Sequence, residues 1–112
     1  MTILEAAKAL KAEVLVEGEA VGEEIKHVVA SDLMSDALLV DDEEIMLLTS
    51  LASDQVLRTA QILGAVGVIV VNGKSLPSSM VKVAKDLSMT LGTCDLSKYD
   101  ACIAMYEALK LQ

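Results

Sequence analysis

The sequence predicts an α/β protein, a layered α/β/α fold with a largely parallel sheet of about five strands, and three observations carry that expectation. Ile45-Met46-Leu47-Leu48 and Val68-Ile69-Val70-Val71 are continuous apolar runs, so each must be covered on both faces, as strands are in a parallel sheet. Between them Val56, Leu57, Ala60 and Leu63 recur at helical spacing, with Ser53 placed to cap the start and Gly64 to end the helix. The connection from Thr49 to Val66 is long enough for the right-handed crossover that joins parallel strands.

In chain order, Thr2 and Glu5 match a capping box, and Ile3, Leu4, Ala7 and Leu10 give a first helix its buried stripe. Glu13 to Val16 reads as a first strand. The acidic, glycine-bearing EGEAVGEE, residues 17–24, reads as an exposed loop. Ile25 to Ala30 reads as a second strand, and Ser31-Asp32 can cap a helix through Leu33, Met34, Ala37 and Leu38. Asp41 to Glu44, four acids in succession, forms a solvated turn before the central crossover unit. Pro77 ends any strand, Ser78 or Ser79 can cap a helix over Met80 to Leu87, and Met89 to Leu91 is a short strand. Ser97 with Asp100 resembles a capping box for a last helix, with Tyr99, Cys102, Ile103, Tyr106 and Leu109 as its apolar stripe.

Residues 1–112 fit a single domain, large enough to bury about two-thirds of the surface its unfolded chain exposes. Hydrophobic residues make up 54% of the chain but aromatics only 2%, so the core is aliphatic and offers no platform for stacking bases. A net charge of −8 argues against nucleic acid and anionic membrane as partners, because both demand a positive field. Arg58 is the only arginine, which argues against strong phosphate chemistry. No apolar run approaches the roughly 18 residues of a membrane span, and Glu5 and Lys8 interrupt the segment a signal peptide would need, so a cytoplasmic protein is expected. Cys94 and Cys102 form neither a CxxC pair nor a disulfide framework and are read as reduced thiols.

Ligands of such sheets sit outside the carboxyl ends of the strands, where helix N-termini offer free amides. Here those ends hold Ser31, Asp32, Thr49, Ser50, Asn72, Gly73 and Lys74, the candidate residues for a small anion or nucleotide; helix caps and turns demand the same residue types. Asn72-Gly73-Lys74-Ser75 lacks the upstream glycine of a phosphate loop at the required spacing, and Gly64 to Gly67 precedes a strand instead of following one, so it is no dinucleotide fingerprint. His27 has no acid or nucleophile beside it and is read as structural. Cys94, near a helix start, is read as a small buried residue and Cys102 as core. No catalytic residue, metal site or cofactor is expected.

The stretch LLTSLASDQVLRTAQILGAVGVIVVNG, with VVASDLMSDALL before it and LPSSMVKVAKDLSMTLGTCDLSKYDA after it, resembles the DRTGG domain family, from Glu13 to about Leu109. That family is similar to the N-terminal domain of HPr kinase/phosphatase and occurs as a regulatory domain in long phosphotransacetylases and beside CBS domains. Aligned on Leu-Leu-Thr-Ser, the family's Asp-Arg pair falls on Ala52-Ser53 and its Thr-Gly-Gly on Val71-Asn72-Gly73, so only Gly73 is kept. The resemblance implies no catalysis. It implies a regulatory or protein-interaction module, acting as a homodimer or on a partner protein and accessory to a redox or metabolic enzyme system, with a sensing domain for a small anion or nucleotide as the alternative. Met34, Leu39, Val40 and Met105 are expected to supply an exposed patch for association.

Overall fold

The structure, a computed structural model, describes residues 1–111. Ten elements follow in order: α1 (Ile3–Leu10), β1 (Glu13–Val16), β2 (His27–Ala30), α2 (Met34–Ala37), β3 (Ile45–Thr49), α3 (Asp54–Leu63), β4 (Gly67–Val70), α4 (Ser78–Asp86), β5 (Thr90–Thr93) and α5 (Lys98–Lys110). The strands form one sheet in the order β1-β5-β4-β3-β2. The four from β2 to β5 run parallel, and β1 joins β5 antiparallel at one edge. The fold is therefore the predicted layered α/β/α arrangement with a largely parallel sheet.

Every residue of β3 and β4 is buried, because helices cover both faces. Leu47, Val68 and Val70 point into one core with residues of α2, α3 and α4, whereas Met46, Leu48 and Ile69 point into the other with residues of α1 and α5. The crossover helix α3 starts and ends at the predicted signals: the Ser53 hydroxyl accepts from the Gln55 N–H at 3.2 Å, and Gly64 closes the helix at φ +66°. At the chain start, Glu5 N–H donates to Thr2 Oγ1 at 3.3 Å and Thr2 N–H to Glu5 Oε1 at 3.0 Å, completing the capping box.

Several expectations are corrected. The first helix buries Ala6 in place of Leu4, which lies on its exposed side. The second strand begins at His27, because the Ile25 N–H donates to the Met1 carbonyl instead of joining the ladder. The fifth strand is Thr90–Thr93, shifted toward the C-terminus from Met89–Leu91. Pro77 itself holds the N-cap position of α4, with no side-chain cap bond, and Ser78 and Ser79 are helical; Ser79 Oγ instead donates to Asp54 Oδ1 at 3.3 Å.

On α5 the buried residues are Ala101 and Met105, while Tyr99, Ile103 and Tyr106 face solvent. The small Ala101 and flexible Met105 let the helix settle close to the sheet and α1, which turns the bulky residues outward. For the same reason the expected association patch dissolves: Met34 and Met105 are core, and of the four residues only Leu39 is fully exposed.

Candidate functional site

Because β2, β3, β4 and β5 are parallel, their carboxyl ends share one rim of the sheet, and all seven candidate residues lie there. The rim divides into two clusters.

The first gathers Ser31, Asp32, Thr49 and Ser50 around a single carboxylate. Asp32 Oδ1 accepts from the buried Thr49 hydroxyl at 2.9 Å and from the Ser50 N–H at 2.7 Å. Its Oδ2 accepts from the Ser50 hydroxyl and from Lys98 Nζ, at the first position of α5. Thr49 Oγ1 accepts in turn from the Leu51 N–H at 3.1 Å, so the turn leaving β3 is fixed at both ends.

This arrangement corrects the expected cap. Ser31 does bond near the start of α2, accepting from the Leu33 N–H at 3.1 Å, but Asp32 turns away toward the neighbouring strand and α2 has no side-chain cap. With its carboxylate committed elsewhere, α2 is a single turn of four residues. Burial raises the Asp32 pKa, but the Lys98 ammonium, the two Ser50 donors and the Thr49 hydroxyl outweigh it and hold the carboxyl well below its ordinary range.

Lys98 was not among the predicted residues. Its signal was present: a lysine opening a helix meets the positive end of the dipole, an unfavourable position unless a nearby anion compensates.

The second cluster is the turn Asn72-Gly73-Lys74 at the end of β4. Asn72 and Gly73 both adopt positive φ, +68° and +62°. The Asn72 N–H donates to Leu96 O at 2.8 Å, the Gly73 N–H to Cys94 O at 2.9 Å, and the Thr93 hydroxyl to Lys74 O at 3.2 Å. The turn is thus strapped to the exit of β5, and both amides that might have met an anion are already engaged. Its exposed side chains, Asn72 and Lys74, are what it presents to solvent.

The remaining reactive groups stand apart. Cys94 is buried as predicted, and burial pushes its thiol pKa up, with Asp95 adding to the rise and a backbone bond at Leu96 opposing it. Cys102 is only half-buried at the margin of the core. His27 is exposed on the outer side of β2, not packed inside, and Arg58 is exposed on α3. A hollow of about 350 Å³ runs beside β2, lined by Lys26, His27, Val28 and Ala30 of the strand region and by Cys102 and Tyr106 of α5. Among the described residues no three His, Cys, Asp or Glu side chains are grouped to hold a metal ion, and no helix is long and apolar enough to cross a membrane. What the rim can do chemically is hold and orient charge.

A scan against protein-family models finds no match for this chain, and a search of curated proteins finds none either. Among solved structures it is similar to the crystal structure of the CBS and DRTGG domains of the regulatory region of Clostridium perfringens pyrophosphatase, complexed with the activator diadenosine tetraphosphate, with a TM-score of 0.70 over 92% of this chain. The fold is DRTGG-like. Sequence identity is 16%, and the chain spans 45% of the length of that structure. In this chain Ser53 serves as the α3 cap and Val71 is core.

Proposed function

We propose that the chain is a non-catalytic regulatory or protein-interaction module of the cytoplasm, acting as a homodimer and accessory to a redox or metabolic enzyme system. The observation that carries this reading is the likeness, over 92% of the chain, to part of an enzyme's regulatory region. The placement of the reactive side chains agrees: Asp32 is held ionised at the rim, Cys94 is buried with a raised pKa, and His27 is exposed at the start of β2, away from the rim. Affinity purification of the tagged chain from its native host tests the reading. A stoichiometric partner enzyme, with activity altered by the chain, is the expected result; a turnover activity of the purified chain alone would overturn it.

A second reading, sensing of a small anion or nucleotide at Ser31, Asp32, Thr49, Ser50, Asn72, Gly73 and Lys74, is favoured by one specific feature. Thr49, Ser50 and Lys98 converge four donors on one carboxylate, a set that also suits a phosphate or an acyl group. The regulatory region of similar fold was crystallised with a nucleotide activator. Thermal unfolding with diadenosine tetraphosphate, mononucleotides, acyl phosphates and acetyl-CoA distinguishes the two readings, since a ligand at 100 times its dissociation constant stabilises by about 2.7 kcal/mol. A shift abolished by Lys98→Ala supports sensing; no shift with any of them leaves the interaction reading alone.

A further inference from the structure

One carboxylate at the rim has two uses open to it and fills only one. Asp32 directly precedes Leu33, whose carbonyl accepts the first bonds of α2 from the Asp36 and Ala37 N–H groups, each at 3.1 Å. It also lies three residues before Ser35, the spacing at which an N-cap carboxylate accepts from an amide of the first turn. In the structure Asp32 instead reaches across to β3 and α5, and α2 has no side-chain cap.

The groups that Asp32 occupies suit any oxyanion. The Thr49 hydroxyl, the Ser50 N–H, the Ser50 hydroxyl and the Lys98 ammonium all donate to its two oxygens. None of the four belongs to the β2–α2 connection that carries Asp32, so the carboxylate can leave without dismantling the set. The Asp32 and Lys98 side chains are 43% and 34% exposed, which opens the set to solutes. Thr49, by contrast, is fully buried and its hydroxyl cannot turn to water, so Asp32 leaves only in exchange for another acceptor.

We propose that this donor set is a phosphoryl site and that Asp32 is its built-in competitor: a phosphoryl dianion displaces the carboxylate, which then caps α2. This assignment rests on the sensing reading above and gives it a ligand class and a switch. The tether selects the ligand. A free monocarboxylate brings the same two oxygens and single charge as Asp32 without the advantage of attachment, whereas a phosphoryl dianion brings a third oxygen and a second charge. The exchange alters the surface as well, because Leu33, 57% exposed, lies between Asp32 and the turn it would cap.

Isothermal titration of the full chain with inorganic phosphate at about pH 8, where phosphate is largely a dianion, tests this at constant ionic strength, with circular dichroism confirming that each variant is folded. Asp32→Asn keeps the side-chain shape and removes the charge. It is expected to bind phosphate about tenfold more tightly than the wild type, the gain when an occluded state holding about nine-tenths of the molecules is removed. Asp36→Asn, which removes an equal charge from the exposed first turn of α2, is expected to leave the affinity unchanged, and Lys98→Ala to abolish binding. In the wild type, phosphate is expected to slow hydrogen exchange at the Ser35 amide; an unchanged rate in the bound protein would overturn the capping step. Binding that Asp32→Asn weakens or leaves unchanged, or that Asp36→Asn tightens equally, would overturn the competitor while leaving a sensing site at the rim. Acetate bound as tightly as phosphate would overturn the phosphoryl class. Phosphate bound by neither the wild type nor Asp32→Asn would remove both the competitor and the site.

Discussion

Asp32 and Lys98, 66 residues apart, meet as an ion pair that ties the end of β2 to the first turn of α5. The pair lies across the sheet rim, and its carboxylate also serves the exit of β3. Replacing Asp32 with Ala removes the acceptor for the buried Thr49 hydroxyl and leaves Lys98 facing the helix dipole alone. A loss of about 2 kcal/mol is expected, reduced from the full value of the bonds because both side chains are partly solvated. Urea unfolding of Asp32→Ala and Asp32→Asn measures it, with the amide variant, which keeps an acceptor oxygen, losing less.

The same carboxyl sets a pH dependence. Its folded pKa is depressed below the ordinary value of 3.8, so its contribution is fully present above that value and is lost as pH falls below it. Glu5, lowered by its backbone and side-chain hydrogen bonds to Thr2, acts in the same direction. Acid unfolding followed by circular dichroism is expected to show stability falling below about pH 4, with a shallower fall for Asp32→Asn. Equal slopes in the two proteins would show that Asp32 is not responsible.

Thr90 Oγ1, fully buried, accepts from the Gly18 N–H at 2.9 Å and pins the acidic loop to β5. Thr90→Val keeps the shape but strands that N–H, and is expected to cost about 1–3 kcal/mol. Thr90→Ser, which restores the hydroxyl, is expected to lose less. Gly18→Ala is expected to be worse than either, because a Cβ there would lie 2.1 Å from the Ser88 carbonyl oxygen.

The two thiols should separate cleanly. Cys94 is buried with its pKa pushed up, and Cys102 is half-buried at the margin of the core. Native alkylation at neutral pH followed by peptide mass spectrometry is expected to modify Cys102 first, with Cys94 reacting only in denaturant. Rapid native labelling of Cys94 would contradict its placement.

Loss of the α3 cap by Ser53→Ala is expected to cost about 1 kcal/mol, read as a lower urea midpoint at unchanged slope.

The layered fold was legible because its signals are local. Buried runs such as Ile45 to Leu48, and caps such as Ser53 and Gly64, depend on residues within a few positions of one another. The Asp32 cluster was half legible. Ser31 to Ser50 could be placed on one rim from the strand order, but the partner at Lys98 arrives through the full topology, which no local pattern encodes. The α5 stripe misled for a related reason. Helical spacing identifies a face, and only the neighbours decide whether Tyr99 and Tyr106 or Ala101 and Met105 turn inward.

The antiparallel pairing of β1 with β5 has a consequence for how the chain matures. Glu13 lies opposite Thr93, so β1 finds its strand partner only in β5, the last strand in the chain. During synthesis the parallel strands β2, β3 and β4 can assemble as they emerge, while β1 waits for its strand partner until β5 has emerged. The sheet is completed when its first strand joins its last, and an intermediate that lacks β5 is one with β1 still unzipped.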